Sequence, residues 1–412
     1  MKRRLLIVGA GPTGSHIASN FSGITSLMTI WEKSTSPGRF AVNTPRGAAA
    51  TGGAVCDLGA QYFTAYDART NQYLSQLQSA GKVKRLPQNS IIGARGFDEH
   101  PQYVSVTGSA SLVNDALDRA VKGGVEIKKN KRLIALSAVQ GFGEASKKSV
   151  WRATDEDGND SIFDAVALTI PAPQVLQLKG NLADILTSSG VGKALTAVTY
   201  STRLVLALYF PESAQALFEE RVPWFGRFVN RDEPGGDVIR YLSFETMKRR
   251  VVSSSGSGDD SQGEGKGVCP SFISHSTVEY GAAHENDEDY KKALEGVLVR
   301  STLQSLAKAI GLSESDLPSP IEARVHRWKY SQVTRAIAMT DEFVYTTALA
   351  ADGGDGKGEK ETAALLIQGG PVFGEDKSEA LLSPPLFLAG DYFTSSNLAG
   401  CLKSAHAVSG AQ

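Results

Sequence analysis

Residues 5–14 read LLIVGAGPTG, and this stretch decides the fold. Its four leading apolar residues are typical of a parallel strand that is covered on both faces. The pattern G-x-G-x-x-G follows directly, and apolar residues then recur at helical spacing from Ile17. A second apolar strand, Leu27 to Trp31, ends at Glu32. Together these features predict a β-α-β unit of about thirty residues, the context in which the glycine pattern is informative.

The three glycines have separate physical roles. Gly9 permits a tight turn, Gly11 lets a pyrophosphate approach the backbone, and Gly14 lets the helix pack closely on the strand. Phosphates then bind the free N–H groups at the helix N-terminus, where the helix dipole favours anions. Glu32, 23 residues after Gly9, lies where a carboxylate accepts the hydroxyl groups of a ribose. The segment therefore predicts a dinucleotide-binding domain. The neighbouring residues assigned to the same site are Ala10, Pro12, Thr13 and Lys33.

Length and composition restrict the class of protein. A chain of 412 residues predicts two or three domains. Its 43 basic and 44 acidic residues give a net charge of −1, which argues against wholesale nucleic-acid binding. Glycine is in excess: the 42 glycines are about a tenth of the chain, against a typical ~7%.

Cysteine usage and hydropathy suggest the compartment. Cys56, Cys269 and Cys401 lie too far apart for a C-x-x-C motif and are too few for a disulfide framework. No histidine spacing suggests a metal site. The longest apolar run, Leu204 to Phe210, is far shorter than the roughly 18 residues of a membrane span. The N-terminal apolar stretch is cut by glycines and does not continue as a signal peptide. We therefore expect a soluble, cytoplasmic protein without a metal.

Strand and helix signals continue along the chain. Residues 132–163 predict an antiparallel meander, whose last turn is the Asp157-Gly158 dipeptide. Apolar runs at 165–170 and 386–389 predict buried strands. From about residue 174 the predicted strands become longer, as at Leu204 to Phe210, and residues 290–310 predict a long helix. We interpret this region as a second domain.

Sheet-type sequence near both ends of the chain predicts one domain built from separate segments, with another domain inserted. The α/β domain, a doubly wound parallel sheet, is expected to comprise residues 1–64, 105–172 and 380–412. The inserted domain, of mixed α+β structure, is expected to comprise residues 65–104 and 173–379, with solvated Gly/Ser/Asp-rich loops at 253–267 and 351–361.

Residues 36–39, which read SPGR, indicate which dinucleotide is bound. Flavoproteins of the amine-oxidase and p-hydroxybenzoate-hydroxylase type carry Gly-Gly-Arg shortly after the acidic residue. Here Pro37 replaces the first glycine, and Gly38 and Arg39 remain. A guanidinium matches a phosphate with two hydrogen bonds, so Arg39 is the expected partner of the FAD phosphates.

Five further motifs occur in an order that narrows the family. They are DLGAQYF (57–63), LTIPAP (168–173), VPW (222–224), RWKYSQ (327–332) and GDYFTSSNLAGC (390–401). In this combination the chain resembles the renalase family of FAD-dependent oxidases, part of the flavin amine-oxidase superfamily. The resemblance covers most of the chain. Residues 253–267, 351–361 and 375–385 look like insertions.

The resemblance implies roles for individual residues. Thr13 and Arg39 would contact the FAD phosphates, and Leu133 would offer backbone groups to the adenine. Asp391 would hold the ribityl chain and pyrophosphate, and the helix that follows would point its N-terminus at the flavin. The further residues assigned to FAD are Gly38, Ala60, Gln61, Tyr62, Gly390, Asn397 and Leu398.

The substrate-side candidates are Tyr62, Trp224, Arg240, His275 and Trp328. Aromatic side chains stack on a planar pyridine ring, and Arg240 or His275 would meet an amide or a phosphate. For each aromatic the alternative is core packing, and for His275 it is a structural hydrogen bond.

By the same resemblance, the chain would oxidise isomeric (2- and 6-) dihydro-NAD(P) to NAD(P)+. The hydride would pass to FAD, and O2 would be reduced to hydrogen peroxide. Because the cofactor carries this chemistry, the protein needs no nucleophile or metal for it, and we expect few catalytic acids or bases. The expected partners are this small-molecule substrate and O2, without nucleic acid or membrane.

Three alternatives remain. A flavin amine oxidase would act on a small amine between aromatic residues. A non-catalytic binder of the Rab GDP-dissociation-inhibitor type would use the same fold without redox chemistry. An NAD-dependent dehydrogenase is weakened, because it has no use for Arg39 or for the Gly390-Asp391 element.

Overall fold

The computed structural model describes residues 3–21, 27–46, 54–94, 99–141, 148–250, 269–340, 343–344, 346–351, 361–368, 371–373 and 380–410. The predicted loop at 253–267 and residues 352–360 of the second predicted loop lie outside these ranges.

Within these ranges the strands, numbered in chain order, are β1 (Arg4–Val8), β2 (Leu27–Glu32), β3 (Val42–Asn43), β4 (Cys56–Asp57), β5 (Phe63–Thr64), β6 (Val83–Arg85), β7 (Ile91–Ile92), β8 (Gln102–Ser105), β9 (Glu126–Lys129), β10 (Leu133–Gln140), β11 (Ser149–Asp155), β12 (Asp160–Phe163), β13 (Ala165–Leu168), β14 (Thr199–Tyr209), β15 (Gly226–Phe228), β16 (Ile239–Phe244), β17 (Ser271–Ser276), β18 (Glu322–Arg335), β19 (Thr346–Ala351), β20 (Glu361–Ile367), β21 (Pro371–Phe373), β22 (Ala380–Leu382) and β23 (Leu386–Ala389). The α-helices are α1 (Pro12–Asn20), α2 (Ala68–Ser79), α3 (Ala110–Lys122), α4 (Ala172–Leu176), α5 (Leu182–Ser188), α6 (Val191–Thr196), α7 (Gln215–Arg221), α8 (Glu245–Arg250), α9 (Val278–Ala283), α10 (Tyr290–Ile310) and α11 (Leu398–Ser409). None of these helices is both long enough and apolar enough to cross a bilayer.

A seven-stranded sheet with the order β19-β20-β23-β13-β1-β2-β9 forms the centre of the first half of the fold. Its five strands from β23 to β9 are parallel, and Val8 of β1 lies between Leu168 of β13 and Trp31 of β2. Leu6 and Ile7 are fully buried because both faces of the sheet are covered. The predicted β-α-β unit and the α/β parallel-sheet class are therefore confirmed.

Different elements cover the two faces of this sheet. Helices α1, α3 and α11 pack together on the face that carries Ile7 and Ile30. The antiparallel sheet β10-β11-β12 and helices α4 to α6 cover the face that carries Leu6 and Trp31. The predicted meander is thus confirmed, and the predicted turn at Asp157-Gly158 connects β11 to β12.

Strands β19 and β20 extend the same sheet beyond β23, to which β20 is antiparallel. The prediction that these residues belong to the inserted domain is therefore wrong. Leu365 and Ile367 are fully buried in the core of the first half. Residues 352–360, between β19 and β20 in the sequence, are all glycine or charged, and they hid the apolar pattern of these two strands. The other predicted domain boundaries stay a prediction.

A six-stranded sheet with the order β18-β14-β17-β16-β15-β7 forms the second half of the fold. Its pairs are antiparallel, except that β15 and β7 are parallel. Helix α10 covers one face, and it has the bounds predicted from the sequence. On the opposite face, Val205 and Ala207 pack against Cys56 and Leu58. This contact joins the two halves, and the candidate site lies beside it.

Candidate active site

A cavity of about 380 Å³ lies between the two halves of the fold. Residues that the sequence analysis assigned to the dinucleotide form its first wall: Pro12, Arg39, Ala60, Gln61, Tyr62, Asp391, Asn397 and Leu398. The second wall contains the substrate-side candidates Arg240, His275 and Trp328, together with Arg203, Phe228 and Tyr241. The structure thus brings these members of the two predicted groups to one cavity.

The glycine-rich turn has the geometry that the sequence predicts. Gly9 has φ +102, and a Cβ on Gly14 would lie 2.0 Å from the Gly9 carbonyl oxygen, so neither position has room for a side chain. A Cβ on Gly11 would meet nothing within 4 Å. Helix α1 begins at Pro12, and no side chain caps it. Its first-turn N–H groups remain available for an anion beside an open backbone.

The carboxylate of Glu32 is buried beside this turn. One of its oxygens accepts a hydrogen bond from the Ala10 N–H at 2.9 Å, and the other accepts from the backbone and hydroxyl of Ser34 at 2.9 Å. These bonds fix the carboxylate at the end of β2, where the sequence analysis expects a ribose. Next to it, burial lowers the pKa of Lys33, whose ammonium donates to Gln174 at 3.4 Å.

Arg39 and Asp391 form a two-bond ion pair, which we call the Arg39–Asp391 fork. Nη1 donates to Oδ2 at 2.6 Å, and Nη2 donates to Oδ1 at 2.9 Å. Ser396 also donates to Oδ2, at 2.7 Å. Burial by itself would raise the pKa of Asp391, but the adjacent guanidinium outweighs it and the pKa is lowered. Asp391 is therefore a carboxylate whose charge is already neutralised.

The fork leaves one edge of the Arg39 guanidinium free. The Nε–H and the second Nη2 hydrogen have no acceptor among the described residues, and the side chain is 29% exposed at the cavity. These two hydrogens point in the same direction and match two oxygens of a phosphate. Asp391 thus holds Arg39 in position without using the edge that a phosphate needs.

Residues 57–63 wrap closely around Arg39. The Ala60 N–H donates to the Arg39 carbonyl at 3.0 Å, and a Cβ on Gly59 would lie 1.8 Å from the same oxygen. The Gln61 amide nitrogen donates to the backbone oxygens of Asp57 and Gly59 and contacts Nε2 of His275 at 3.2 Å. Tyr62 lines the cavity, and burial raises the pKa of its hydroxyl to about 12. These bonds tie the segment to the backbone of Arg39 and to His275, whereas Gln61 Oε1 has no hydrogen-bond partner among the described residues.

A buried ion cluster, which was not predicted from the sequence, contacts this segment at Asp57 and Gln61. The Lys248 ammonium lies 2.8 Å from Asp57 Oδ2, 2.7 Å from Glu245 Oε1 and 3.3 Å from the Gln61 carbonyl oxygen. Arg249 contacts the same two carboxylates. Burial would raise the pKa of Asp57, but Lys248 and Arg249 lower it to about 2. Charged residues on a short helix normally indicate a solvated surface, so the sequence carries no signal for this cluster.

Helix α11 closes the first wall. Its N-cap residue, Asn397, accepts a hydrogen bond from the Gly400 N–H at 2.9 Å. Leu398 and Cys401 face the cavity. The Ser404 hydroxyl accepts from the Gly390 N–H at 2.8 Å, which ties the end of β23 to the helix. The N-terminus of α11 thus lies beside the Arg39–Asp391 fork, and its direction toward a flavin stays a prediction.

The second wall is a row of side chains across neighbouring strands of the six-stranded sheet. Trp328 of β18 pairs with Arg203 of β14, His275 of β17 pairs with Tyr241 of β16, and Tyr241 pairs with Phe228 of β15. The Trp328 indole donates to the Leu58 carbonyl at 2.8 Å, which fixes its ring. Arg203, Tyr241 and Phe228 were missed, because only the strand register reveals that they belong to this row.

Two further predicted residues, which do not line the cavity, lie in the hydrophobic core. Trp224 is 1% exposed and packs in the core under helix α10 with Leu206 and Phe218, away from the cavity. Its proposed contact with substrate is therefore wrong, and the alternative of core packing is correct. Leu133 is buried in the core beside Trp31, and its assignment to the adenine stays a prediction. The cofactor roles of the remaining residues also stay predictions.

Comparison with known proteins defines the class. The family model for flavin containing amine oxidoreductases matches residues 89–411, and the chain belongs to this family. Renalase of Mus musculus is 26% identical over 413 residues, covering 98% of this chain and 97% of that protein. A crystal structure of a protein from Pyrococcus furiosus has a TM-score of 0.49 and 12% identity, covering 78% of this chain and 88% of the other.

Family membership makes the chain an FAD-dependent oxidoreductase, and the donor set fits this cofactor. The uncapped start of α1 and the free edge of Arg39 are suited to phosphates. Glu32 is suited to a ribose, and the open backbone at Gly11 leaves room for a dinucleotide.

Proposed function

We propose that this chain is an FAD-dependent oxidase that converts isomeric (2- and 6-) dihydro-NAD(P) into NAD(P)+, with O2 reduced to hydrogen peroxide. The observation that carries the proposal is the charge of the cavity. Arg203 and Arg240 both line it, and among the described residues each donates to a backbone oxygen, that of Ser276 and that of Val229 respectively, and not to a carboxylate. Asp391 is the only carboxylate among the described lining residues, and the fork neutralises it.

This charge favours an anionic substrate. Burial lowers the pKa of Arg203, and the charge of Arg240 lowers it further, while Glu279 partly opposes both. Two neighbouring guanidinium groups of this kind gain from a phosphate and repel an ammonium group. A dihydronicotinamide dinucleotide carries two phosphates, whereas a small amine is a cation at neutral pH.

The residues of the second wall have separate roles in this proposal. Arg203 and Arg240 bind the phosphates, and the backbone oxygen of Val229, 2.6 Å from Arg240 Nη1, orients one of the two guanidinium groups. Trp328 and Tyr241 provide flat apolar surfaces for the nicotinamide ring. Bound FAD supplies the hydride acceptor and, through its reoxidation, the route from O2 to hydrogen peroxide.

Anaerobic mixing of the FAD-loaded protein with each candidate substrate tests the proposal. We expect the 2- and 6-dihydro isomers to bleach the flavin absorption with formation of one NAD(P)+ per flavin, and air to restore the colour with release of peroxide. Small primary and secondary amines are the comparison set. Bleaching by an amine and not by either isomer would establish the amine-oxidase alternative. A colourless protein that does not take up FAD would support the non-catalytic binder.

A further inference from the structure

The hydrogen bonds around the Gln61 carboxamide determine which way this group faces. Its Nε2 has three neighbours: the backbone oxygens of Asp57 and Gly59, and Nε2 of His275 at 3.2 Å. If the carboxamide were turned by 180°, its oxygen would face two backbone oxygens, and three acceptors would repel one another. The amide nitrogen therefore occupies this position, and its two hydrogens are shared among the three neighbours, while Oε1 is buried with no hydrogen-bond partner among the described residues.

This orientation fixes the tautomer of His275. The Gln61 nitrogen can only donate, so the ring nitrogen that it meets has to accept. In a neutral imidazole one nitrogen accepts and the other carries the hydrogen. Nε2 is the acceptor, and the hydrogen is therefore on Nδ1.

Nδ1 is the ring nitrogen that is open to the cavity. His275 lines the cavity, and within the described parts of the chain Nδ1 has no hydrogen-bond partner. Because Nδ1 is unpaired but is not one of the fully buried unpaired atoms, it is exposed to the cavity. The ring thus has one nitrogen bonded to Gln61 and the other facing the cavity.

The charge state of the ring agrees with this geometry. Burial, with the charges of Arg203 and Lys248, lowers the pKa of His275 to about 3. A protonated ring would also place an N–H against the Gln61 amide hydrogens. His275 is therefore neutral at physiological pH and is a hydrogen-bond donor without a charge.

We propose that Gln61 is a positioning residue that holds His275 in the Nδ1–H tautomer, so that His275 donates this hydrogen to a carbonyl oxygen of the molecule bound in the cavity. Carbonyl oxygens are present on the carboxamide of a dihydronicotinamide and on the flavin ring. The choice of the carboxamide rests on the proposed function, whereas the tautomer does not.

Nitrogen NMR of FAD-loaded protein labelled with ¹⁵N-histidine tests the tautomer. The ring signals of His275 are assigned by their loss in His275→Gln. We expect a protonated Nδ1 and an unprotonated Nε2 in the unsubstituted protein between pH 6 and 8. The variant Gln61→Met should give a mixture of both tautomers. Gln332→Met removes another amide that lines the cavity and should leave the His275 signals unchanged. A protonated Nε2 in the unsubstituted protein, or an unchanged tautomer in Gln61→Met, would overturn the proposal.

Binding measurements identify the carbonyl. Removal of the donor in His275→Phe should raise KM for the dihydronicotinamide about tenfold, the value of one hydrogen bond, if the acceptor is the substrate. The same variant should instead raise the Kd of FAD for the apoprotein about tenfold if the acceptor is the flavin. His275→Gln retains an N–H donor and should recover most of either loss. If neither constant changes in His275→Phe, the donor role is wrong. If neither dihydro isomer is oxidised by the unsubstituted protein, the proposed function fails and the NMR result stands on its own.

Discussion

Arg39 and Asp391 are 352 positions apart in the chain, and their side chains meet end to end in a two-bond fork at the cavity. Arg39 follows the first β-α-β unit, and Asp391 follows β23, which lies next to β13 in the same sheet. The fork therefore exists only when the sheet is complete. It couples the assembly of the fold to the position of the guanidinium that is expected to bind phosphate.

We expect Arg39→Lys to weaken FAD binding by about 10- to 100-fold, which corresponds to roughly 1.5–3 kcal/mol for a lost charge-assisted bond. Lysine keeps the charge but lacks the second edge that a phosphate would use. Titration of the apoprotein with FAD, followed by flavin fluorescence, gives the Kd. The matched control is Arg4→Lys, since Arg4 pairs with Asp164 at 3.3 Å in a half-exposed setting and should leave the Kd unchanged. Equal Kd values for Arg39→Lys and the unsubstituted protein would contradict a phosphate role for Arg39.

Lys248→Met should destabilise the protein by about 3–5 kcal/mol, because it leaves Asp57 and Glu245 as buried charges with one cation instead of two. The free energy of unfolding in urea measures this loss. Lys329→Met is the control, since Lys329 lies 3.6 Å from Glu285 at the surface, and this pair should contribute less than about 1 kcal/mol. A Lys248→Met variant as stable as the control would show that the cluster is not needed for the fold.

Arg203→Gln should raise KM for a dihydronicotinamide dinucleotide by about tenfold or more, because a bond from a guanidinium to a phosphate is lost. KM for the corresponding riboside, which has no phosphate, should change little. This difference separates phosphate binding from a general disturbance of the wall. Arg327→Gln is the control: Arg327 neighbours Trp328 on the same strand, but it donates to the carbonyls of His284 and Asp287 outside the cavity. A uniform rise in both KM values for Arg203→Gln would argue against a phosphate site.

Stability should fall as the pH decreases from about 6.5 to 4. Burial lowers the pKa of His16 to about 4, of His275 to about 3 and of His326 to about 4. In this range the unfolded chain binds protons at these rings and the folded chain does not. The stabilisation is therefore complete above pH 6.5 and is lost on acidification, at up to about 1.4 kcal/mol per pH unit for each ring.

Urea unfolding at pH 7 and pH 5 measures this loss of stability. The free energy of unfolding should be lower at pH 5 by about 2 kcal/mol for each of the three rings. His16→Gln removes one of them and should reduce the loss by about a third. Equal stability of the unsubstituted protein at both pH values would contradict the prediction.

Local spacing made the first wall predictable. The glycine turn, Glu32 and Arg39 follow one another within about forty residues, and each has a role that depends on its own neighbourhood in the chain. The buried strand ending at Ala389 likewise predicted where Asp391 would lie. The pairing of Arg39 with Asp391 was not predictable, because both were assigned directly to the cofactor.

The second wall depends on strand register, which the sequence does not reveal. Arg203 reaches the cavity because β14 pairs with β18 so that Arg203 lies opposite Trp328. A shift by one residue would turn it to the other face. Trp224 shows the reverse case, in which a residue from a motif that suggested the family lies in the core. The ion cluster around Lys248 was hidden because sequence patterns treat a run of charges as exposed.

The position of β23 in the sheet has a consequence for biosynthesis. This strand follows every other described strand in the chain, yet it lies between β20 and β13 in the interior of the sheet. At about 5–20 residues per second, a ribosome needs roughly 20–70 s to proceed from Arg39 to Asp391. During this interval the nascent chain already carries the glycine turn and Arg39 but has neither the fork nor helix α11. Cofactor capture is therefore expected only after β23 has been synthesised and has entered the sheet between β20 and β13.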